Sequence, residues 1–205
     1  TQYLVKMLEE GLTEHSLDGQ SCDLEGVRSM RENPTHINTC PFSSYNYHGT
    51  GTFASMLDCV VLGATVVDVN CNASVVTHSD GYLLHGIGGW QNCLFSKCTI
   101  LPIPAFRDRI PVLVDEVTTL VGPGELIDVI VTERGIAINP LRDDLMEAVA
   151  GSDLPIRPIG EIKAEVDALV GGAPEKPNLG EEVVAAIEWV DGTVIDSVRK
   201  VLPKE

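Results

Sequence analysis

The chain has 205 residues, of which 44% are apolar and 21% charged, so it is long enough and apolar enough to bury a core of its own. It carries 30 acidic against 14 basic residues, and this formal net charge of -16 disfavours nucleic acid and anionic membrane surfaces as partners. No apolar run is long enough for a membrane-spanning helix and no signal peptide is recognisable, so a cytoplasmic protein is expected.

Six cysteines are present: Cys22, Cys40, Cys59, Cys71, Cys93 and Cys98. The even number would allow disulfides, but a chain of this size and apolar content does not need them, and reduced thiols are expected. There is no Cys-x-x-Cys pair, and no helix aligns His36, Cys40 and His48, so no metal site is expected.

The N-terminal third predicts two helices followed by a long polar loop. Tyr3, Leu4, Met7 and Leu8 recur at helical spacing and predict a helix over residues 1–10 that stops at Gly11. A second helix is predicted from the cap Asp23 to Asn33, before a proline. Residues 34–52 are rich in Pro, Asn, Ser and Gly, and loops of that length are often functional.

The rest of the chain alternates between strand and helix signals. Strands are predicted over 60–62, 66–70, 73–77, 98–101, 111–115, 127–132 and 136–139, and helices over 90–97, 141–150 and 160–170. After a Gly/Pro linker at 171–180, residues 182–190 and 193–201 flank Asp191-Gly192, which is a strong hairpin signal. The pattern predicts an α/β domain with a mixed sheet and a closing C-terminal β-hairpin.

A glycine-rich loop at residues 79–89 is the strongest local functional signal. It follows a predicted strand, and Gly86, Gly88 and Gly89 would let backbone N–H groups approach a carboxylate, a phosphate or a thioester oxyanion. The spacing is not that of a dinucleotide-binding fingerprint. A tight turn that needs positive φ explains the glycines equally well, so both interpretations stay open.

Two charged clusters are weaker candidates. Glu133 and Arg134 follow an apolar strand and could orient a substrate carboxylate, although a strand-end ion pair is the simpler interpretation. Arg107 and Arg109 flank Asp108 in a proline-rich loop and could supply a local positive field, although a solvated loop is simpler. No nucleophile elbow is present.

Several longer motifs stand out, at residues 109–119, 123–125 and 128–140, together with 60–64, 67–70, 79–81 and 86–89. These motifs resemble one known family, the citrate lyase alpha chain. The resemblance continues through residues 183–201 and covers nearly the whole chain. The family's chain is considerably longer, so this sequence resembles its C-terminal part, with the N-terminal half absent.

The resemblance implies a fold and an activity. The expected fold is a CoA-transferase-like, three-layer α/β domain over residues 1–171, followed by a linker and closing hairpin over 172–205. The implied reaction is citrate CoA-transfer, in which an acetyl group on an acyl carrier protein is exchanged for citrate through a mixed anhydride, without a covalent enzyme intermediate. The implied cofactor is a CoA-type or phosphopantetheine-like thioester on the carrier subunit, with no tightly bound metal. A citryl-cleaving lyase subunit and the N-terminal half of the alpha chain would complete an oligomer.

The resemblance also suggests site residues, without fixing a catalytic one. Carried over by motif, the substrate- or thioester-binding residues are Ser79, Gly81, Gly86, Gly88, Gly89, Arg134 and Asn139, and the catalytic candidates are Asp80 and Glu133. Residues 90–98 depart from the family: they are bulkier, Asn92 replaces an expected carboxylate, and such bulk would block a ligand. The alternatives are therefore a catalytically impaired structural subunit and a transferase for another di- or tricarboxylate.

Overall fold

The computed structural model describes residues 1–40, 53–172 and 175–203. The chain divides into two compact units, residues 1–56 and residues 57–205. The C-terminal hairpin belongs to the second unit, whereas the proposed boundary at residue 171 stays a prediction. In the described part of the chain, no helix is long and apolar enough to cross a membrane.

The first unit contains the two predicted helices and a small sheet. Its elements are α1 (Gln2–Glu9), β1 (Ser16–Asp18), α2 (Leu24–Glu32) and β2 (His36–Asn38), followed by a 3₁₀ turn (Phe53–Met56). The cap of α2 forms as predicted, because Asp23 Oδ1 accepts the Gly26 amide at 2.8 Å. The parallel pair β1–β2 was not predicted, and residues 41–52 of the predicted loop lie outside the described residues.

Only part of the apolar stripe in α1 is buried. Leu8 and its neighbour Val5 are buried, whereas Tyr3 is 75% exposed. The helical spacing therefore predicted the helix correctly without identifying its buried face.

The second unit holds most of the strands. Its elements are β3 (Val60–Val61), β4 (Val66–Asp68), β5 (Ala73–Ser74), α3 (Trp90–Cys93), β6 (Thr99–Pro102), β7 (Phe106–Arg107), β8 (Ile110–Pro111), β9 (Leu113–Val114), β10 (Val129–Thr132), β11 (Gly135–Ile138), α4 (Asp143–Ala148), α5 (Ile159–Val170), β12 (Leu179–Glu188) and β13 (Val194–Val201). A 3₁₀ turn covers Gly124–Leu126.

The strands form several small sheets rather than the one mixed sheet that was predicted. One has the order β11-β10-β6-β3, in which β10 is antiparallel to β11 and parallel to β6. A second has the order β5-β4-β9, and β7–β8 is a separate antiparallel pair. The predicted strand 111–115 is divided because the Val112 amide bonds to Ala105 O at 2.9 Å, while Val112 O accepts from Val67.

The C-terminal hairpin forms around the predicted turn. Strands β12 and β13 pair antiparallel, and Gly192 has a φ of +87°, a conformation that glycine adopts without a steric cost. Asp191 Oδ1 accepts the Thr193 amide at 2.9 Å and fixes the turn.

The core of the second unit lies between its sheets and helix α5. Leu101, Leu113 and Ile130 are almost completely buried, and Ile162 and Val166 of α5 are fully buried. Leu169, which follows them at helical spacing, is 55% exposed. Burial of each large aliphatic side chain contributes about 1.5–3 kcal/mol and fixes the strand ends that carry the candidate site.

Candidate functional site

One candidate site is a cavity of about 550 Å³ inside the second unit. We call it the arginine cavity; its lining residues are Gly63, Ala64, Thr65, Val75, His78, Leu84, His85, Ile87, Trp90 and Arg107. A second space of about 190 Å³, the side cavity, shares Thr65, His78 and Arg107 with it and adds Ser79, Asp80 and Asp108 among others. Pockets of such size with a few polar groups are typical small-molecule sites.

The two cavities differ in the charge of their walls. Among the residues that the structure describes, the arginine cavity is lined by one guanidinium and two imidazoles and by no carboxylate, on a chain whose net charge is -16. The side cavity carries the carboxylates Asp80 and Asp108 beside the same guanidinium. An anion is therefore favoured in the first cavity over the second.

Arg107 is positioned by neutral partners. Its Nη1 donates to Thr65 O at 2.6 Å and its Nη2 to Ala64 O at 2.9 Å, and no carboxylate pairs with it among residues 53–172 and 175–203. Burial lowers the pKa of Arg107, but a guanidinium stays charged at any physiological pH. The charge is thus oriented by the backbone and forms no ion pair with a described carboxylate.

The glycine-rich loop folds back along the end of β5 and supplies part of the cavity wall. The Leu84 amide donates to Val76 O at 2.7 Å, and His85 Nδ1 donates to Gly86 O at 2.8 Å. This path places His85 and Ile87 in the wall, while Gly86, Gly88 and Gly89 do not line the cavity. Gly88 has a φ of +60°, so the interpretation as a turn glycine is supported at that position.

The other predicted loop residues lie at the side cavity or under the hairpin. Ser79, which is buried, and Asp80 both line the side cavity, and Asp80 Oδ1 accepts the Tyr82 amide at 3.0 Å. Gly81 has a φ of +81°, and a Cβ there would lie 3.2 Å from Leu179 and Val201 of the hairpin. Gly81 therefore allows the loop and the hairpin to pack closely.

The bulky segment at residues 90–98 forms wall and core. Trp90 Nε1 donates to Gly63 O at 2.8 Å, and the ring covers Gly122, where a Cβ would approach it to 2.5 Å. Leu94 is buried in the core. The indole of Trp90 is part of the wall of the arginine cavity, and the predicted obstruction of a ligand by this segment stays a prediction.

Glu133 and Arg134 lie in the turn between β10 and β11 and line neither cavity. Glu133 Oε2 accepts the Ala105 amide at 3.0 Å. Arg134 Nη1 lies 3.7 Å from Glu165 of α5, and its guanidinium lies 6.0 Å from the Phe106 ring centroid. Arg134 thus forms an ion pair, but with a helix carboxylate rather than with its neighbour Glu133.

Asn139 is buried and its carboxamide bonds entirely to backbone. Nδ2 donates to Gly124 O at 2.7 Å and to Ile127 O at 2.8 Å, and Oδ1 accepts the Leu141 amide at 3.0 Å. This residue fixes the 3₁₀ turn to the end of β11 and lies in neither cavity wall.

Sequence reasoning underestimated Arg107. The interpretation as part of a solvated loop is wrong, because its guanidinium is bound to backbone and lines two cavities. A signal was present: Ile103 and Ala105 are buried, and a period of two puts Arg107 on the same side of an extended chain. His78, which lines both cavities, follows the buried Ser74 and Val76 at the same period of two.

No metal centre is assembled by the described residues. None of their His, Cys, Asp and Glu side chains form a group of three or more that could hold an ion, and His48 lies outside the described residues. Cys22, Cys59, Cys71, Cys93 and Cys98 carry free thiols.

Comparison with known proteins decides the family. The sequence profile described as citrate lyase, alpha subunit, matches residues 1–201. The chain belongs to this family. Citrate lyase alpha chains of Haemophilus influenzae and Klebsiella pneumoniae are 36% and 35% identical over 202 residues, which are 98% of this chain and 40% of each relative. The chain therefore spans about 40% of the length of the curated relatives it matches.

Solved structures agree with this membership in the citrate lyase alpha family. A crystal structure from Streptococcus mutans, described as the alpha subunit of citrate lyase in complex with citrate, is 38% identical with a TM-score of 0.94. The match covers 99% of this chain and 40% of that one. A structure named RipA has a TM-score of 0.59 at 14% identity over 82% of this chain and 42% of that chain, and shares the fold alone.

Proposed function

We propose that this chain supplies one half of a citrate CoA-transferase site. The observation that carries the proposal is the family match over residues 1–201, joined to the close structural relative that was crystallised with citrate. A cavity whose described lining residues include an arginine and no acid supports it, because such a site suits a carboxylate substrate. The fold is proposed to be CoA-transferase-like, with three layers and the closing hairpin.

The proposed chemistry needs binding groups more than a nucleophile. A citrate carboxylate oxygen attacks the acetyl thioester carbon, the thiolate leaves, and a citric–acetic anhydride forms. The thiolate then attacks the citryl carbonyl of the anhydride, and acetate leaves. Rate enhancement would come from holding both reactants together and from N–H groups that stabilise the oxyanion at each step.

Residues of the loop are the proposed thioester contacts. Ser79, Gly81, Gly86, Gly88 and Gly89 are proposed on the motif, and Asp80 is the better supported catalytic candidate because it lines the side cavity. Glu133, Arg134 and Asn139 line neither cavity, so the proposals for them rest on the family motif alone. The thioester is proposed to be carried by a CoA-type or phosphopantetheine-like group on an acyl carrier subunit. A citryl-cleaving subunit and the rest of the alpha chain complete the proposed cytoplasmic oligomer.

The test is citrate-dependent release of acetate from acetyl-CoA by the full-length alpha chain that carries this sequence. Release with citrate and none without it is the expected result. Faster release of acetate with another di- or tricarboxylate would identify that acid as the substrate in place of citrate. No release of acetate with any of these acids, from folded protein, would support a structural subunit instead.

A further inference from the structure

We propose that Cys59 and Cys98 form a reversible thiol–disulfide site in the second unit, which exchanges with a small-molecule disulfide of the glutathione class. The pair lies directly before the parallel strands β3 and β6. The inference concerns two thiols of the described chain and does not rest on the proposed transferase function.

The register of the two strands brings the cysteines together. Val60 lies opposite Thr99 in the parallel pairing, so the residues that precede them, Cys59 and Cys98, lie opposite each other. The Val60 amide donates to Cys98 O at 2.9 Å, which shows that the pairing already includes the second cysteine.

Contacts between the two segments continue on the amino side of the pair. The Lys97 amide donates to Leu57 O at 3.2 Å, and Lys97 Nζ lies 2.5 Å from Asp58 Oδ1. The cysteines are therefore flanked in both directions by bonds between the segments. These bonds hold the two backbones side by side while the thiols are reduced.

The spacing and direction of the side chains suit a disulfide. Neighbouring strands lie about 4.8 Å apart, within the range of about 4.4–6.8 Å between the Cα atoms of a disulfide. Val60 and Thr99 are buried on one face of the sheet, whereas Val61, which shares the opposite face with Cys59, is 64% exposed. The thiols of Cys59 and Cys98 lie on this outer face and hydrogen-bond to each other.

The same spacing favours a disulfide that is easily reduced. The most frequent separation of Cα atoms in disulfides is about 5.5–6 Å, so a bond between adjacent strands is formed at the short end of the range. Such strained and accessible disulfides have more oxidising potentials than structural ones, and they exchange with small thiols.

The two thiols differ in their access to solvent. Cys59 is exposed, whereas Cys98 is half-buried, and burial is the main cause that raises the pKa of the Cys98 thiol. The charge of Asp128 raises the same pKa and that of Arg142 lowers it, and these two side chains form an ion pair at 2.5 Å. We therefore assign the first attack on the reagent to Cys59.

The exchange proceeds in two balanced steps. The Cys59 thiolate attacks one sulfur of glutathione disulfide, so a bond forms between Cys59 and glutathione while the bond within the reagent breaks and one glutathione leaves as a thiolate. The Cys98 thiolate then attacks the Cys59 sulfur and releases the second glutathione. The two cysteines together lose two electrons and two protons, and the two glutathiones gain them.

The disulfide would join two strands that lead to the arginine cavity. β3 continues into residues 63–65, and β6 continues through residues 103–105 into β7, which carries Arg107. Arg107 donates to the carbonyls of residues 64 and 65, so the same two chain segments are already bound to each other at the cavity. The crosslink would add a covalent bond at the opposite ends of the strands.

Simple packing is the competing explanation, in which the cysteines are two small residues without shared reactivity. A variant with the wrong register separates the explanations. Cys59→Ser combined with Val61→Cys keeps the number of thiols, the strand and the sheet face. It places the new thiol two positions further along, where its Cα lies about 8 Å from that of Cys98, too far for a disulfide.

The experiment equilibrates the full-length alpha chain that carries this sequence with mixtures of reduced and oxidised glutathione, after circular dichroism has verified the folding of each variant. After acid quenching and alkylation, cleavage by trypsin and Asp-N releases residues 58–67 and 98–107, each with one cysteine. Mass spectrometry then measures the linked peptide. Its yield in the parent should be at least about tenfold higher than that of any crosslink to Cys98 in the register variant.

Two further measurements test the order and the reversibility of the steps. Cys98→Ser should accumulate the mixed disulfide of Cys59 with glutathione, because the second thiol is missing, whereas Cys59→Ser should leave Cys98 largely unmodified. An excess of reduced glutathione should return the parent to its two thiols.

Several results would overturn the inference. They are the absence of a linked peptide in the parent at every glutathione ratio, an equal yield of crosslink in the register variant, and a linked peptide that persists in excess reduced glutathione. None of these measurements uses citrate or a thioester, so failure of this inference leaves the transferase proposal unaffected, and failure of that proposal leaves this inference unaffected.

Discussion

Asn139→Ala should destabilise the second unit rather than weaken substrate binding. The substitution removes three hydrogen bonds, to Gly124 O, Ile127 O and the Leu141 amide, from a side chain that is only 5% exposed. Each such bond contributes about 1 kcal/mol, and buried groups left without partners add to the loss. The expected decrease in the free energy of unfolding is therefore about 3 kcal/mol.

Urea unfolding followed by tryptophan fluorescence measures this loss, because both tryptophans lie in the second unit. With a slope of about 1–3 kcal/mol per M, the midpoint should fall by about 1–3 M. Asn178→Ala is the control, since that exposed side chain makes one long contact of 3.4 Å to Pro203 O, and it should change stability by less than about 0.5 kcal/mol.

A loss below about 1 kcal/mol for Asn139→Ala would refute the reasoning from these bonds. A raised KM for citrate at unchanged stability would instead favour the substrate-binding role that the family motif suggests. The two measurements on one variant thus decide between a structural and a binding asparagine.

Three further outcomes are expected. Gly124→Ala should lower the free energy of unfolding by about 1–3 kcal/mol, because its Cβ would lie 2.0 Å from a backbone oxygen. Gly160→Ala in α5, where a Cβ meets no atom within 4 Å, should leave the free energy of unfolding unchanged or raise it by up to about 1 kcal/mol. Equal effects of the two substitutions in urea unfolding would contradict this reasoning. An ion pair with a neighbouring arginine lowers the pKa of Asp144 from 3.8 to about 2, so its contribution to stability is present above pH 4 and is lost as the pH falls towards 2. Asp144→Asn should therefore reduce the loss of stability between pH 4 and pH 2. An unchanged loss of stability in that range would contradict a stabilising role of the ion pair. Cys59 and Cys98 directly precede the parallel strands β3 and β6, whose backbones lie about 4.8 Å apart, so diamide should join the two thiols in a disulfide. The reaction should be faster at alkaline pH, because burial raises the pKa of Cys98. Titration of free thiols after oxidation, with Cys59→Ser as control, would show no loss of two thiols together if the register of the strands were different.

Local patterns in the sequence predicted local structure well. The Asp23 cap and the Asp191-Gly192 turn each specify a backbone geometry through their own hydrogen bonds, and both form. Family motifs identified the chain, and the family profile confirms it. The helical spacing in α1 predicted a helix but not its buried face, because the partner that covers a face lies elsewhere in the chain.

The candidate site was harder to predict because it is assembled from distant segments. Residues 63–65, 75–90 and 107 are distant in the sequence and come together only in the folded second unit. Motif matching could assign Asn139 to the family's site by residue type, but it could not show where the side chain points. In the structure its carboxamide bonds to backbone. Arg107 was judged by its polar neighbours, whereas its partners are carbonyls more than 40 positions away.

The contact between Trp90 and Gly122 also constrains how this protein can diverge. A side chain at position 122 would overlap the indole, since a Cβ there would lie only 2.5 Å from the ring, whose N–H also donates to Gly63 O. A side chain at position 122 is therefore accommodated only where residue 90 is smaller than tryptophan. A lineage that substitutes Gly122 first passes through a protein in which the indole has to move, whereas a lineage that substitutes Trp90 first does not.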